Sequence, residues 1–392
     1  GIIYKQMGKY SKAIDYLKEG LRLATALDNI QGEANILNTL GQCYTNMTNP
    51  EKAITYLKRS IKIKRQLDRP IELSNSLGNL AIAYRRTGDY AKAISLWEES
   101  IEITKSNNIQ YQLGRSITNY ANLLYYIGHT QTAHKKYLEA LELCKQFNNF
   151  ADVGIIYRHL GLIELNNNNP KDAISNLLKA NKTHQETKHQ IAKDTTTLFL
   201  AQAYLHSDDL DNADKYIKQT VMITNRRRHA DQTNSFTEYY TLPARCVQAL
   251  INAKLHGGND KELDELLNEI KTLHKDKHKS RELWWLAQGF YFIQEKKRAK
   301  ECQKLAQDEL HRKADRIRDK KIRKDYLELP PLHKQIFMKI DDAVILHNTQ
   351  QSIHSEVKNN KLNAYKFCPN CGFNNKPLFK FCPECGTPLL IN

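Results

Sequence analysis

Small and apolar positions recur along the first half of the chain at a spacing of 40 residues. Alanine stands at Ala13, Ala53, Ala93, Ala133, Ala173 and Ala213. Gly41, Ala81, Ala121, Gly161 and Ala201 keep the same register, as do Leu40, Leu80, Tyr120, Leu160 and Leu200. Tyr44, Tyr84 and Tyr204 form a further set, with Leu124 and Glu164 in the intervening slots. Within one unit the apolar positions fall at helical spacing. Leu37, Leu40, Gly41 and Tyr44 mark a first helix; the segment 45–50, ending in Pro50, breaks it; Ala53, Ile54, Leu57 and Ile61 mark a second. The next unit repeats this with Leu80, Ala81 and Tyr84, a Gly88-Asp89-Tyr90 turn, then Ala93, Ile94, Trp97 and Ile101. Self-similarity at this length predicts a solenoid, whose surface serves binding more often than chemistry. Beyond Arg226 the register drifts. Segments 235–256 and 261–274 read as one further pair, and 281–294 with 297 onward as another, Ala299 taking the small slot. The charged helix is expected to run to about Leu327, before Pro330-Pro331, and a last helix from 332 to 357.

The pattern L-G-x-x-Y, a turn, then A-I-x-x-L resembles the tetratricopeptide repeat, lengthened from its standard length of about 34 residues. The resemblance covers residues 1 to 225 as one partial and five full units. It implies an all-α solenoid, a right-handed superhelix of helical hairpins whose first helices line the concave face. Carried onto this chain, the family pattern places Asn35, Asn38, Gln42 and Asn46 on that face in one unit, and Asn75, Arg85 and Arg86 in the next. Arg115, Thr118, Asn122 and Tyr125 follow in the third, Arg158 and Asn166 in the fourth, and Thr195, Gln202 and His206 in the fifth. Asparagine and glutamine offer a donor and an acceptor to an extended backbone, and arginine a fork for carboxylates. An acidic peptide or a free C-terminal carboxylate is the expected ligand; the competing reading is a solvated polar helix face. Ala314-Asp315, Asp319, Arg323 and Tyr326-Leu327, followed by Pro331-Leu332-His333, resemble the closing segment of repeat regions attached to bacterial cyclases, kinases and ATPases.

Composition adds charge to this picture. The 392 residues carry a formal net charge of +16, with 41% hydrophobic residues and no apolar run of the roughly 20 residues that span a bilayer. Between 271 and 339 there are 20 Lys and Arg against 10 Asp and Glu. The basic helix expected over 296–324 lacks interleaved aromatics and carries Glu301, Asp308, Glu309, Asp315 and Asp319 at helical spacings to its cations, which favours an ordinary exposed helix over a nucleic-acid or membrane contact. Arg226-Arg227-Arg228-His229 reads as a solvated helix end. Cys43, Cys144, Cys246 and Cys302 stand singly in helical segments as small core residues. With no disulfide framework, a cytoplasmic setting is expected. The start at Gly1, without Met, inside an apparent helix end, reads as a fragment.

Near the C-terminus, Cys368-Pro369-Asn370-Cys371-Gly372 and Cys382-Pro383-Glu384-Cys385-Gly386 form two C-P-x-C-G knuckles. Cys368, Cys371, Cys382 and Cys385 supply the four thiolates of a closed, structural zinc site. The segment resembles a zinc ribbon with β-hairpin knuckles, the short spacer arguing against a rubredoxin-like iron site. Phe367, Phe373, Phe379 and Phe381 read as its small core, and 359–363 as a tether.

The expected organisation is a repeat array at 1–229, degenerate hairpins and a capping helix at 230–327, a helix at 328–357, a linker at 358–366 and the ribbon at 367–390. No nucleophile–base pair or phosphate loop is evident, and His184, His189, His333 and His354 stand alone on polar helices, where exposure is expected. The chain reads as a non-catalytic, cytoplasmic, peptide-binding scaffold with one structural zinc. Two alternatives stand beside it: the regulatory region of a larger bacterial-type signalling enzyme, and a nucleic-acid-associated factor using the ribbon and basic helices.

Overall fold

A computed structural model describes residues 1–47, 49–230, 235–257, 260–273 and 279–340, without the side chains of 226–230, 235–240 and 331. It divides into two units, Gly1–Phe337 and Met338–Asn392, and only 338–340 of the second are described. The expected ribbon at 367–390, the linker, His354 and the final-helix residues 341–357 therefore lie outside the described residues, as do the side chains of Arg226 to His229.

The first unit is helical throughout, with no strand among the described residues. Helices α1 (Ile2–Gln6) and α2 (Tyr10–Ala26) make a partial hairpin. Five full hairpins follow: α3 (Ile30–Asn46) with α4 (Pro50–Gln66), α5 (Pro70–Thr87) with α6 (Tyr90–Ser106), and α7 (Gln110–Tyr126) with α8 (Thr130–Gln146). Then come α9 (Phe150–Asn166) with α10 (Pro170–Glu186) and α11 (Gln190–His206) with α12 (Leu210–Ala230). Most of these helices span 17 residues and are separated by three-residue turns. Apart from the turn before Pro50, each turn between these helices holds one residue in the left-handed region. Asp28, Asp68, Asn108 and Asn148 have φ of 48–55°, a conformation that Asn and Asp tolerate better than most residues. Pro50, Pro70 and Pro170 open their helices where the missing N–H is no loss, and the Asn29, Asn49 and Asp89 side chains cap theirs.

The periodic alanines seat these helices on one another: Ala13, Ala53, Ala93, Ala133, Ala173 and Ala213 are each 0% exposed. Large side chains of the second helices fill the opposite slots. A Cβ on Gly78 would sit 2.6 Å from the Trp97 ring, so the indole occupies the space that glycine leaves. A second buried slot runs through Lys64, Thr104, Cys144, His184 and Thr224. Cys43, Cys144, Cys246 and Cys302 are all buried and free.

The C-terminal part of the unit comprises α13 (Ser235–His256), α14 (Asp260–Thr272), α15 (Ser280–Phe292), α16 (Lys296–Ala314), α17 (Lys320–Glu328) and α18 (Pro331–Phe337). The charged helix expected to continue to Leu327 ends at Ala314 instead. Asp319 caps a new helix by accepting from the Ile322 N–H at 2.9 Å, and the Arg323 guanidinium donates to the freed Ile317 carbonyl at 2.6 and 2.9 Å. The break turns Ile317 and Ile322 into the core, a tertiary gain that no glycine or proline signals. The expected last helix is likewise interrupted after Phe337.

This segment returns to the second and third hairpins. The Arg316 carbonyl lies 2.5 Å from where a Cβ on Gly88 would sit, and Leu329 and Pro330 cover Gly128 in the same way. The His129 Nε2 lies 3.1 Å from Asp325 Oδ2, and the Tyr126 and Tyr326 rings meet at 6.1 Å.

Two of the histidines expected at the surface are buried. The His333 Nδ1 donates to the Tyr326 carbonyl at 2.6 Å. His184 is 0% exposed, its ring set over Gly154 with neither nitrogen hydrogen-bonded. A polar helix sequence hides such burial because the slot is defined by the neighbouring helix. His189 is exposed as expected.

Burial pushes the pKa of His184 down to about 4, so the fold prefers neutral imidazole. The folded value lies below the unfolded one. The stabilisation is thus full above about pH 6.5, is lost progressively as pH falls from there, and is gone once pH has passed through about 4, a change on the order of 2 kcal/mol. Chemical denaturation at pH 7 and pH 4.5 should show a smaller loss for His184→Leu than for wild type; equal losses would contradict the assignment.

Candidate functional site

The first helices of successive full hairpins, α3, α5, α7, α9 and α11, pack directly on one another, whereas the second helices are set farther apart. The first helices therefore line the inner side of the array, where the sequence placed its candidate residues. The open stretch of that side is shorter than expected. Thr195 and Gln202 are buried along with most of α11, and Thr118 is buried with its hydroxyl on the Gly114 carbonyl. These three do not line an open groove, because neighbouring helices cover their faces; the accessible row runs from α3 to α9.

Along this row the amide oxygens are occupied by side chains of neighbouring helices. The Gln42 Oε1 accepts from Lys5 Nζ at 2.7 Å. The Asn38 Oδ1 accepts from Ser76 Oγ at 3.1 Å and Asn79 Nδ2 at 3.0 Å. The direction is set by Lys64, whose buried ammonium donates to Ser76 Oγ at 3.0 Å and leaves that hydroxyl to donate onward. The Asn75 Oδ1 accepts from Gln112 Nε2 at 2.8 Å, and Asn122 Oδ1 from the Tyr137 hydroxyl at 2.7 Å. With their oxygens used, these side chains present N–H groups. The sequence reading missed Lys5, Asn79 and Gln112 as the other half of this ladder; each lies 37–41 residues from its partner, about one repeat away.

The arginines separate into different environments. Arg115 and Arg86 are exposed on the inner helices, and Arg158 is half-buried. Arg85 is set apart: its guanidinium lies 5.4 Å over the Tyr126 ring, beneath the returning C-terminal segment. Asn35 and Asn46 are exposed.

At the α7–α9 end the row deepens. The Asn166 Nδ2 donates to the Tyr125 hydroxyl at 3.0 Å, and the His159 ring stacks on Tyr137 at 5.3 Å while meeting Tyr125 edge-on at 5.6 Å. Burial and the Arg158 charge hold the His159 pKa down to about 3, so the ring is neutral at physiological pH. Its Nδ1 has no hydrogen-bond partner. His206 is half-buried, with Nδ1 on the Gln202 carbonyl at 2.9 Å.

Chemically, the row is a set of donors backed by an aromatic floor, suited to ligand carbonyls and carboxylates. Among the described residues there is no group of three or more His, Cys, Asp or Glu that could hold a metal. No described helix is long and apolar enough to cross a membrane. Within the basic helix α16, Glu309 pairs with Arg312 and Lys313 at the spacing expected, and Glu301 pairs with Lys271 of α14.

Residues 1–66 and 72–146, which hold the hairpins from α1–α2 to α7–α8, match the tetratricopeptide repeat family. No curated protein matches the chain. Among solved structures, the apo quorum sensor NprR from B. thuringiensis is 14% identical, covering 79% of this chain and 86% of its own, with a TM-score of 0.57. The Rap conjugation gene regulator of plasmid pLS20, in complex with the Phr* peptide, is 12% identical over 71% of this chain and 76% of its own, with a TM-score of 0.52. A signal transduction ATPase with a tetratricopeptide repeat sensor from Pyrococcus horikoshii is 19% identical, with a TM-score of 0.51; the match covers 68% of this chain and 40% of that protein. These likenesses establish a shared helical-repeat fold.

The ladder predicts which asparagines are structural. Asn38→Ala strands the Ser76 hydroxyl and the Asn79 amide and should cost about 1–2 kcal/mol in urea denaturation. Asn35→Ala on the same helix should stay within about 0.5 kcal/mol of wild type.

Proposed function

We propose that the chain is a non-catalytic scaffold that holds an acidic peptide, or a C-terminal carboxylate, along the inner faces of α3, α5, α7 and α9. The observation that carries this reading is the conversion of Asn38, Gln42 and Asn75 into N–H donors, with Arg86 and Arg115 exposed on α5 and α7. A quorum sensor and a regulator complexed with a peptide share the fold, which supports a peptide as ligand. Arg85 serves the C-terminal docking in this reading and is not a ligand contact. Replacing Arg86 and Arg115 together with alanine should weaken binding of an acidic peptide selected on the wild-type protein by at least about tenfold, as loss of charge-assisted hydrogen bonds requires. Affinity unchanged by that double substitution would remove the groove.

A second reading makes the chain the sensor region of a larger signalling protein. It is supported by the signal transduction ATPase whose repeat sensor shares the fold and of which this chain spans 40%. In either case a reducing, cytoplasmic setting suits four buried free thiols.

The C-terminal segment completes the proposal. Cys368, Cys371, Cys382 and Cys385 form an all-thiolate donor set that fits tetrahedral zinc and leaves no open position for a catalytic water. Zinc bound there supplies folding free energy to a segment too short for an adequate core. Metal analysis of the full chain should give about one zinc per chain. Replacing Cys368 and Cys382 with serine should abolish it while the helical circular dichroism of the array persists; zinc retained by that variant would refute the site.

A further inference from the structure

The outer side of the array carries an unfilled gap. Helices α4 and α6, the second helices of neighbouring hairpins, flank a cavity of about 540 Å³ floored by α5. Its floor is apolar, built from Ile61, Leu77, Leu80, Leu96 and the Tyr84 ring. Its rim is cationic, formed by Lys58, Lys62, Arg65 and Lys92.

The repeat itself shows what is missing. Every other gap between successive second helices of the array contains a tyrosine from one of three equivalent positions. Between α2 and α4 it is Tyr56, stacked on Tyr44 at 5.4 Å. Between α6 and α8 it is Tyr120, whose hydroxyl donates to Glu98 at 3.0 Å. Between α8 and α10 it is Tyr157, with the Lys145 and Lys179 ammonium groups 5.9 and 5.7 Å from its ring. Between α10 and α12 it is Tyr216, stacked on Tyr204 at 5.3 Å. In the α4–α6 gap the same three positions are Leu77, Leu80 and Leu96. An aliphatic side chain at each leaves room where the neighbours hold a ring.

The charge around this gap also departs from the next repeat. Lys58 and Lys62 stand where that repeat has Glu98 and Glu102. Arg65 is held by Glu99 at 2.5 Å and Lys92 by Asp89 at 2.8 Å. Lys58 and Lys62, one turn apart and exposed, have no ion pair among the described residues. The volume is in the range of small-ligand pockets, and a ring seated in a pocket beneath charged neighbours is a common anchor of protein interfaces.

We propose that this outer cavity receives an aromatic side chain from an acidic segment of a partner protein, supplying in trans the ring that the other gaps hold in cis. Carboxylates flanking the aromatic residue meet Lys58 and Lys62. The site is separate from the inner groove and does not depend on it.

The test uses the full chain and an N-acetylated, C-amidated peptide with a central phenylalanine between pairs of aspartates, followed by calorimetry. Saturable binding is expected, weakened at least about tenfold when the phenylalanine is replaced by alanine, since a buried aromatic anchor is lost. Leu80→Tyr, which installs the residue of the next repeat, should block binding to the same extent. Should Leu80→Tyr fail to fold, Lys58→Glu with Lys62→Glu, at exposed positions, carries the test and should also abolish binding. No binding by wild type, equal affinity for the alanine peptide, or binding lost on Arg115→Ala would overturn the proposal, the last by moving the peptide to the inner groove.

Discussion

The array depends on one repeated contact: an alanine without exposed surface on each second helix, against which a neighbouring first helix closes. A larger side chain there would have to displace backbone, because protein interiors have no spare volume on that scale. With the closest approach fixed at the same place in each unit, 17-residue helices and three-residue turns repeat in step, and large residues such as Leu57 and Trp97 find a glycine facing them. Placing the first helices in mutual contact and the second helices apart makes the two sides of the array chemically different.

On the crowded inner side, polar residues satisfy one another across repeats. A lone amide between two packed helices would forfeit its hydrogen bonds, whereas the Lys64–Ser76–Asn38 chain gives each oxygen a donor. Lys64 bears the cost of its burial, with a pKa pushed down to about 8. On the outer side, where helices diverge, tyrosines bridge the widening space. Leucines at 77, 80 and 96 leave it open between α4 and α6. Both candidate surfaces thus follow from the same curvature.

The return of the C-terminal segment adds a constraint that the local repeat lacks. Gly88 and Gly128 serve left-handed turns at φ of 79° and 93° and also leave room for Arg316, Leu329 and Pro330. Arg85, Tyr126 and Tyr326 are drawn into the same contact, which is why Arg85 differs from its fellow arginines.

Residue spacing alone determined the all-α repeat, the hairpin register, the turns and the buried alanines and cysteines, because each is dictated by helical periodicity and side-chain size. The family resemblance, rather than the spacing, implied that the first helices face inward, and so put Asn35, Asn38, Gln42, Asn75, Arg115 and Asn122 on that side. Only the tertiary structure decided which of these are spoken for, because that depends on partners on other helices, 15 residues away for Asn122 and about one repeat away for Asn38, Gln42 and Asn75. It alone placed Thr118, Thr195, Gln202 and His184 in the interior, ended the charged helix at Ala314 and left one outer gap unfilled. Each of those outcomes is set by what a neighbouring helix brings to within a few ångströms, and a single helix's own pattern carries no record of its neighbour's side chains.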